Sequence, residues 1–192
     1  MEGGDCGNVI CHPGVGIDMI EHMKTLACAL ATLLLSATLT AADGLLGDPV
    51  AALVKGTVNK CEASLVDAQG REGKALRLRV ATLPEAGWMA HAYVYGLEQD
   101  LHVGDTVEVS CWTRLIDGTE GAIKVDLSQG ERPYAPIVSG FITPVAEWRQ
   151  HKLKGTVSSD VTGAKTRFGL CVGYRQQTVE VTSIEVRKVA AP

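Results

Sequence analysis

Apolar and polar residues alternate in several short segments after residue 43. In the segment 106–113 one face is apolar and consists of Val107, Val109 and Cys111. The same alternation recurs in four further segments, which are 74–80, 122–128, 168–174 and 179–186. A period of two is typical of β-strands with one buried face, and no segment after residue 43 has a convincing helical period. We therefore predict an all-β structure.

Turn sequences rich in glycine separate these segments, among them 70–73, 103–105 and 117–121. Strands of this length and spacing, each with one apolar face, predict a two-sheet antiparallel β-sandwich. Residues 43–192 are long enough to bury one hydrophobic core and hardly two. We therefore expect a single domain over that range.

Charge and composition exclude two broad classes of protein. The net charge is -4, so the chain has no basic surplus to neutralise phosphates, and we expect no nucleic-acid partner. The chain is 46% hydrophobic and 21% charged, which argues against intrinsic disorder. A folded domain that binds something other than nucleic acid is the remaining expectation.

The segment 23–42 has the organisation of an export signal peptide. Met23 and Lys24 precede an apolar run at 25–35, and small residues then lead to a cleavage site before Asp43. Serine and threonine residues interrupt the apolar run too early for a membrane span, which needs about 20 apolar residues. We expect a secreted or periplasmic protein that has no membrane partner after the signal is cleaved.

Residues 1–22 precede this signal and fit it poorly. Cys6, Cys11 and His12 resemble the first half of a metal site, but the sequence offers no second half. We interpret residues 1–22 as an unstructured extension or as the result of a start codon assigned too early.

Six stretches, in order, carry a resemblance to a known group of proteins. They are GREGKALRLRV (70–80), GWMAHAYVYGLEQDLHVGDTVEVSCWTR (87–114), AIKVDLSQGERPY (122–134), PVAEWRQHKL (144–153), RFGLCVGY (167–174) and VEVTSIEV (179–186). Their order and spacing resemble carbohydrate-binding modules of families 4 and 9, which are β-jelly-rolls of the galactose-binding-like type. The resemblance covers most of residues 70–188, and it implies a jelly-roll fold with a polysaccharide or oligosaccharide as partner.

In modules of this kind the ligand lies across a concave sheet. The resemblance places the concave strands at 61–66, 89–95, 122–128 and 167–174. Alternation along the strands, together with two aromatic residues at strand ends, then gives the candidate ligand-binding residues. The set is Trp88, His91, Tyr93, Lys124, Asp126, Ser128, Tyr134 and Arg167. Aromatic rings stack on the C–H face of a sugar while fixed polar groups bind its hydroxyls, so we expect Trp88 and Tyr134 to contribute most.

Two further pairs of residues complete the expectations, the glycines from the same alternation and the phenylalanines as structural aromatic residues. Gly169 and Gly173 fall on the outward face, where we expect them to leave room for a ligand near the backbone. Phe141 and Phe168 are expected in the hydrophobic core.

The sequence departs from the family pattern at three places. Thr182 and Ser183 replace the paired Asp residues that help to hold a structural calcium ion in the family. The usual Asn-Gly-x-Phe-Glu opening is missing from 48–60, and His91 stands where a Gln is usual. We therefore expect no cofactor, and the family's structural calcium ion stays an open alternative that these replacements argue against.

Three cysteines follow residue 43. Cys111 alternates with two valines and is expected to be a buried free thiol. By jelly-roll order, Cys61 and Cys171 fall on neighbouring strands, so a disulfide between them is an open alternative whose register the alternation does not fix.

The resemblance favours a binding domain over an enzyme. A glycosidase needs two carboxylates around the scissile bond, and the proposed cleft offers Asp126 with no evident partner. One alternative is a jelly-roll polysaccharide lyase in which His91 or Tyr93 abstracts a proton while Lys124 or Arg167 neutralises a uronate.

A second alternative is a secreted protein-interaction domain that has kept the fold and lost the sugar. In that case local packing would bury Trp88 and Tyr134. A free-standing binding domain would act as a monomer on its glycan, alone or together with a separate carbohydrate-active enzyme.

Overall fold

The computed structural model describes residues 44–190. The predicted extension at 1–22 and the predicted signal peptide at 23–42 lie outside these residues. Within the described part of the chain, no helix combines the length and the apolar character needed to cross a bilayer.

Residues 44–190 form ten β-strands, one α-helix and two short 3-10 turns. In chain order the elements are helix α1 (Pro49–Lys55), β1 (Thr57–Asn59), β2 (Glu62–Asp67), β3 (Lys74–Val80), a 3-10 turn (Gly87–Met89), β4 (His91–Tyr95), β5 (Thr106–Asp117), β6 (Ile123–Gln129), β7 (Pro136–Ile142), β8 (Arg149–Thr156), a second 3-10 turn (Gly163–Lys165), β9 (Thr166–Cys171) and β10 (Gln177–Val189).

The strands form two five-stranded antiparallel sheets. One sheet has the order β1-β4-β9-β6-β7 and is called the cleft sheet below, and the other has the order β2-β3-β10-β5-β8 and is called the opposite sheet. Their inner faces share one hydrophobic core. The predicted all-β, two-sheet antiparallel sandwich is confirmed.

The core is made of the apolar sides of the alternating strands. Phe168 of β9 lies in the core, as predicted. It is 1% exposed and is the largest fully buried side chain among the described residues. Around it lie buried residues of both sheets, including Ala92, Val125, Leu127 and Leu170 of the cleft sheet and Leu76, Leu78, Val107, Val109 and Val181 of the opposite sheet. Burial of these side chains, at about 25 cal/mol per Å² of apolar surface, holds the two sheets together.

The expectation of no helix after residue 43 is wrong at α1. The Asp48 carboxylate accepts a hydrogen bond from the backbone N–H of Ala51 (3.1 Å), and Pro49 occupies the first turn. An Asp cap followed by Pro is a recognisable helix start. Val50 and Leu53 are buried, but two turns are too short to display a helical period.

The predicted membership of the cleft sheet is right for three strands and wrong for one. Strands β4, β6 and β9 coincide with the predicted segments, but the segment 61–66 forms β2 and pairs with β3 in the opposite sheet. The chain changes sheets between β1 and β2, where Lys60 has a left-handed backbone (φ 48°). The two edge strands of the cleft sheet are instead β1 and β7, which alternation alone does not assign to either sheet.

A row of charges crosses the outer face of the opposite sheet. Glu108 of β5 lies directly between Arg187 of β10 and Lys154 of β8. Its carboxylate accepts a hydrogen bond from Arg187 (2.6 Å) and lies 3.4 Å from the Lys154 ammonium. The bond from Arg187, followed by the contact with Lys154, lowers the pKa of Glu108 below its ordinary value of 4.5.

This lowered pKa predicts a pH-dependent part of the stability. The ionised carboxylate stabilises the folded state fully above pH 4.5, and that contribution is lost as the pH falls from there through the lower folded pKa. Glu108→Gln should therefore lower the free energy of unfolding at pH 7 and flatten its decline between about pH 5 and pH 3. Urea unfolding of both proteins across this range measures the effect, and parallel curves would contradict it.

Candidate ligand-binding cleft

Three cross-strand rows of side chains cover the outer face of the cleft sheet. Residues that lie directly opposite in antiparallel strands point to the same face. The first row is Asn59, His91, Cys171, Lys124 and Phe141. The second row is Thr57, Tyr93, Gly169, Asp126 and Ser139, and the third is Tyr95, Arg167, Ser128 and Pro136. Most predicted site residues therefore lie on one face of the sheet, because they lie directly opposite one another in neighbouring strands.

The Tyr93 ring forms the floor of the cleft. A Cβ on Gly169 would lie 1.9 Å from Tyr93 Cδ1, so the ring lies flat over the glycine. The Tyr93 hydroxyl is 3.0 Å from Cys171 Sγ, and the His91 ring lies 4.2 Å from the Tyr93 ring, centroid to centroid. Tyr93 is consequently 8% exposed and presents little of its edge to a ligand.

Arg167 holds the polar side of this floor. Its guanidinium donates hydrogen bonds to Asp126 Oδ2 (3.0 Å) and Ser128 Oγ (3.1 Å). It also lies over two aromatic rings, 4.4 Å from the centroid of Tyr93 and 5.1 Å from that of Tyr134. Cation–π contacts of this kind fix the guanidinium in place.

Trp88 stands at one end of the cleft on the first 3-10 turn. The carbonyl of Trp88 accepts a hydrogen bond from His91 Nδ1 (2.9 Å), and Asn59 Nδ2 donates to the carbonyl of Met89 (3.1 Å). The turn is thus tied to β1 and β4, while the Trp88 side chain is 58% exposed. An indole held on a fixed turn and open to solvent is a pre-positioned stacking surface.

Tyr134 stands on the other side of the cleft, in the loop before β7. Its backbone is left-handed (φ 58°), a conformation that costs a bulky non-glycine residue roughly 1–3 kcal/mol. Its side chain is nevertheless 44% exposed, and Tyr95 beyond the floor is 54% exposed. The fold therefore holds an aromatic ring in an unfavourable backbone position and leaves it open.

These residues line one cleft with a volume of about 650 Å³. Seven of the eight predicted site residues line it, namely Trp88, His91, Tyr93, Lys124, Asp126, Tyr134 and Arg167. Ser128, the eighth, is fully buried beneath it and supports Asp126 and Arg167. The volume falls within the range of small-ligand sites, and the open aromatic rings are those predicted to contribute most.

Sequence reasoning missed several residues around the cleft. Tyr95, Arg132 and Ser139 also line it. Tyr95 lies two residues after Tyr93 on β4, so the same alternation would have placed it on the cleft face. The prediction that Phe141 belongs to the core is wrong, because it is 61% exposed on the outer face beside Lys124. Its ring meets Tyr174 edge-on at 4.8 Å.

The predicted role of the two glycines is also wrong. The space above Gly169 is filled by the Tyr93 ring rather than left for a ligand. A Cβ on Gly173 would lie 2.7 Å from the carbonyl oxygen of Gly87, so this glycine allows the first 3-10 turn to pack against the segment that follows β9. Both glycines serve packing inside the protein.

The open alternative of a Cys61–Cys171 disulfide is wrong. Both are free thiols, and Cys61 lies in the bend between β1 and β2 rather than on a strand that neighbours β9. Cys61 Sγ donates instead to the carbonyl of His91 (3.5 Å), and burial raises its pKa to about 11. Cys111 is a buried free thiol, as predicted.

The residues at the place of the family's calcium ion do not fit that ion. The Thr182 hydroxyl donates to the carbonyl of Lys74 (2.8 Å), and the Asp48 carboxylate caps helix α1. Calcium requires six to eight oxygen ligands, several of them carboxylates. Among residues 44–190, no group of three His, Cys, Asp or Glu side chains is arranged to hold a metal ion.

The chemistry of the cleft favours binding over proton abstraction. Burial, and then the hydrogen bond to Cys171, raises the pKa of the Tyr93 phenol well above its usual range, so Tyr93 stays protonated at neutral pH. The charge of Arg167 is already compensated by Asp126 at 3.0 Å and is not free to neutralise a uronate. Two of the four residues in the lyase alternative are thus committed to contacts inside the protein.

Neither the family models nor the curated proteins contain a match to this chain. Solved structures do match it. A CBM4 carbohydrate-binding module is 16% identical with a TM-score of 0.54, over 69% of this chain and 80% of that chain. The CBM22-1 xylan-binding domain of Paenibacillus barcinonensis Xyn10C is 16% identical with a TM-score of 0.53, over 79% and 98%.

The N-terminal cellulose-binding domain of Cellulomonas fimi β-1,4-glucanase C is 14% identical with a TM-score of 0.52, over 72% of this chain and 91% of that chain. This chain has the fold of these carbohydrate-binding modules. Identities this low show the fold alone. The predicted jelly-roll sandwich is thereby confirmed.

Proposed function

We propose that the protein is a non-catalytic carbohydrate-binding domain of the family 4/9 type, which binds a polysaccharide in the cleft. Trp88 and Tyr134 stack on sugar rings from either side, and His91, Lys124 and Asp126 bind hydroxyls between them. Tyr93, Ser128 and Arg167 form the rigid floor. Metal plays no part in this binding.

One observation carries the proposal. Trp88 is 58% exposed and Tyr134 is 44% exposed, and both line the same open cleft although a folded protein would ordinarily bury rings of this size. The protein-interaction alternative expected local packing to bury both rings. Exposed aromatic rings beside fixed polar groups are what a sugar-binding surface requires.

The proposed setting follows from the export signal expected at 23–42. The protein acts outside the cytoplasm, secreted or periplasmic, as a monomer. It works alone on its polysaccharide or together with a separate carbohydrate-active enzyme, which it holds close to the substrate.

A retention screen tests the proposed function. The protein is tested on neutral β-glucan, xylan, mannan and uronate polymers, with and without EDTA, while absorbance at the unsaturated-uronate band is recorded. We expect retention on at least one polymer, unchanged by EDTA and without rising absorbance. Rising absorbance would make the protein a lyase, and absence of retention on every polymer would overturn the proposal.

A further inference from the structure

We infer that the glycan bound in the cleft is acidic and carries carboxylate or sulfate groups at intervals along its chain. This inference deepens the proposed function and depends on it. The observation behind it is the charge of the cleft, which is cationic although the whole chain has a net charge of -4.

The charged residues that line the cleft are Lys124, Arg132, Arg167 and Asp126. Asp126 and Arg167 form an ion pair at 3.0 Å with side chains that are 10% and 17% exposed, so they compensate each other. Two positive charges remain, those of Lys124 and Arg132.

Within the described residues, neither Lys124 nor Arg132 lies within 4 Å of a carboxylate oxygen. Other surface cations differ in this respect, since Lys165 contacts Glu131 at 3.4 Å and Arg175 contacts Glu120 at 3.2 Å. Among the described residues that line the cleft, Asp126 is the one carboxylate, and it is already paired with Arg167. An anionic group on a ligand would supply the countercharge that Lys124 and Arg132 lack.

The two cations lie toward opposite ends of the cleft. Lys124 belongs to the first cross-strand row, beside Cys171 and Phe141. Arg132 lies in the loop that carries Tyr134, beyond the third row. The first and third rows are four residues apart along β6, from Lys124 to Ser128, which corresponds to about 13 Å. Two separated charges suit a polymer with repeating anionic groups better than a small anion with one charge.

The aromatic rings and the cations of the cleft contribute to binding in different ways. Trp88 and Tyr134 would stack on ring faces of any glycan, so they give affinity without distinguishing neutral from acidic sugars. A neutral glycan would cover Lys124 and Arg132 without supplying a countercharge, and burying an uncompensated charge is costly. Charge-assisted hydrogen bonds to an acidic group remove that cost.

The test compares polymers that share a backbone and differ in whether they carry anionic groups. The ligands are polygalacturonate and its fully methyl-esterified form, and dextran sulfate and dextran. The proteins are the wild type, the double variant Lys124→Gln/Arg132→Gln and the control Arg149→Gln/Lys152→Gln. The control removes the same charge from exposed positions on β8 of the opposite sheet.

We expect the wild type to bind at least one acidic polymer about tenfold or more tightly than its neutral counterpart at low salt. The double variant should lose that preference, the control should keep it, and salt should weaken it. Preference for polygalacturonate identifies carboxylate as the group, and preference for dextran sulfate identifies sulfate.

Equal affinity for charged and neutral forms would overturn the inference while leaving the proposed function intact. An equal loss in the control would also overturn it, because the attraction would then not come from the cleft. Binding to a neutral glycan without binding to either acidic polymer would overturn the inference alone. Failure to bind both these polymers and every neutral glycan tested would overturn the proposed function and the inference together.

Discussion

Trp88→Ala should weaken polysaccharide binding by at least about 30-fold, measured by calorimetry or affinity electrophoresis. Truncating a Trp that is a hot spot of a binding surface typically costs about 2 kcal/mol or more, and every 1.4 kcal/mol is about tenfold in affinity. The indole is 58% exposed and outside the core, so the variant should unfold at nearly the wild-type temperature. The loss would therefore report on stacking and not on folding.

Two further variants make this prediction sharper. Trp88→Tyr keeps an aromatic face on the same 3-10 turn and should retain part of the affinity. Ile116→Ala removes an exposed apolar side chain, 42% exposed on β5 of the opposite sheet, and should leave binding unchanged. If Trp88→Ala binds as well as the wild type, the cleft is not the binding surface.

Glu180→Ala should lower the free energy of unfolding by about 3 kcal/mol or more. Glu180 is fully buried at the centre of the opposite sheet, directly between Arg77 of β3 and Arg114 of β5. Arg77 Nε donates to Oε1 (3.0 Å), and Arg114 Nε donates to Oε2 (2.7 Å). The variant leaves two guanidinium groups side by side without their carboxylate.

The size of this effect depends on the exposure of the arginines. Arg114 is 15% exposed on its side chain, but Arg77 is 39% exposed and water can replace part of its lost contact. For a chain of this length, about 3 kcal/mol corresponds to a drop of roughly 6–12 °C in Tm. Thermal and urea unfolding both measure it.

Glu62→Ala is the matched control for Glu180→Ala. Glu62 also pairs with an arginine in this sheet, Arg79 at 3.3 Å, but the two side chains are 69% and 55% exposed. Exposed pairs of this kind contribute about 0–1 kcal/mol. Equal losses in both variants would contradict the account of Glu180.

Period-two alternation predicted the sandwich, and together with the sheet membership implied by the family resemblance it predicted most of the cleft face. Once β4, β6 and β9 were placed in one sheet, alternation put His91, Tyr93, Lys124, Asp126 and Arg167 on one face, and the structure places them there. The period predicts the face of a residue relative to its strand. It carries no information on which sheet the strand joins.

The errors in the sequence reasoning follow from that limit. Phe141 was assigned to the core because it is aromatic, whereas its register opposite Lys124 turns it outward. The family resemblance placed the segment 61–66 in the cleft sheet, and alternation could not correct this because the crossover at Lys60 is a feature of the backbone. The cation–π contacts of Arg167 with Tyr93 and Tyr134 bring together residues of two strands and a loop, which no local pattern links.

The central claim is that a polysaccharide binds on the outer face of the cleft sheet, and amide NMR of the protein during glycan titration tests it most directly. We predict that shift changes cluster at 87–95, 122–134 and 166–174, while β2, β3, β5, β8 and β10 in the opposite sheet stay unchanged. Shift changes centred on the opposite sheet would contradict the account. So would the absence of shift changes with a glycan that retains the protein in the screen.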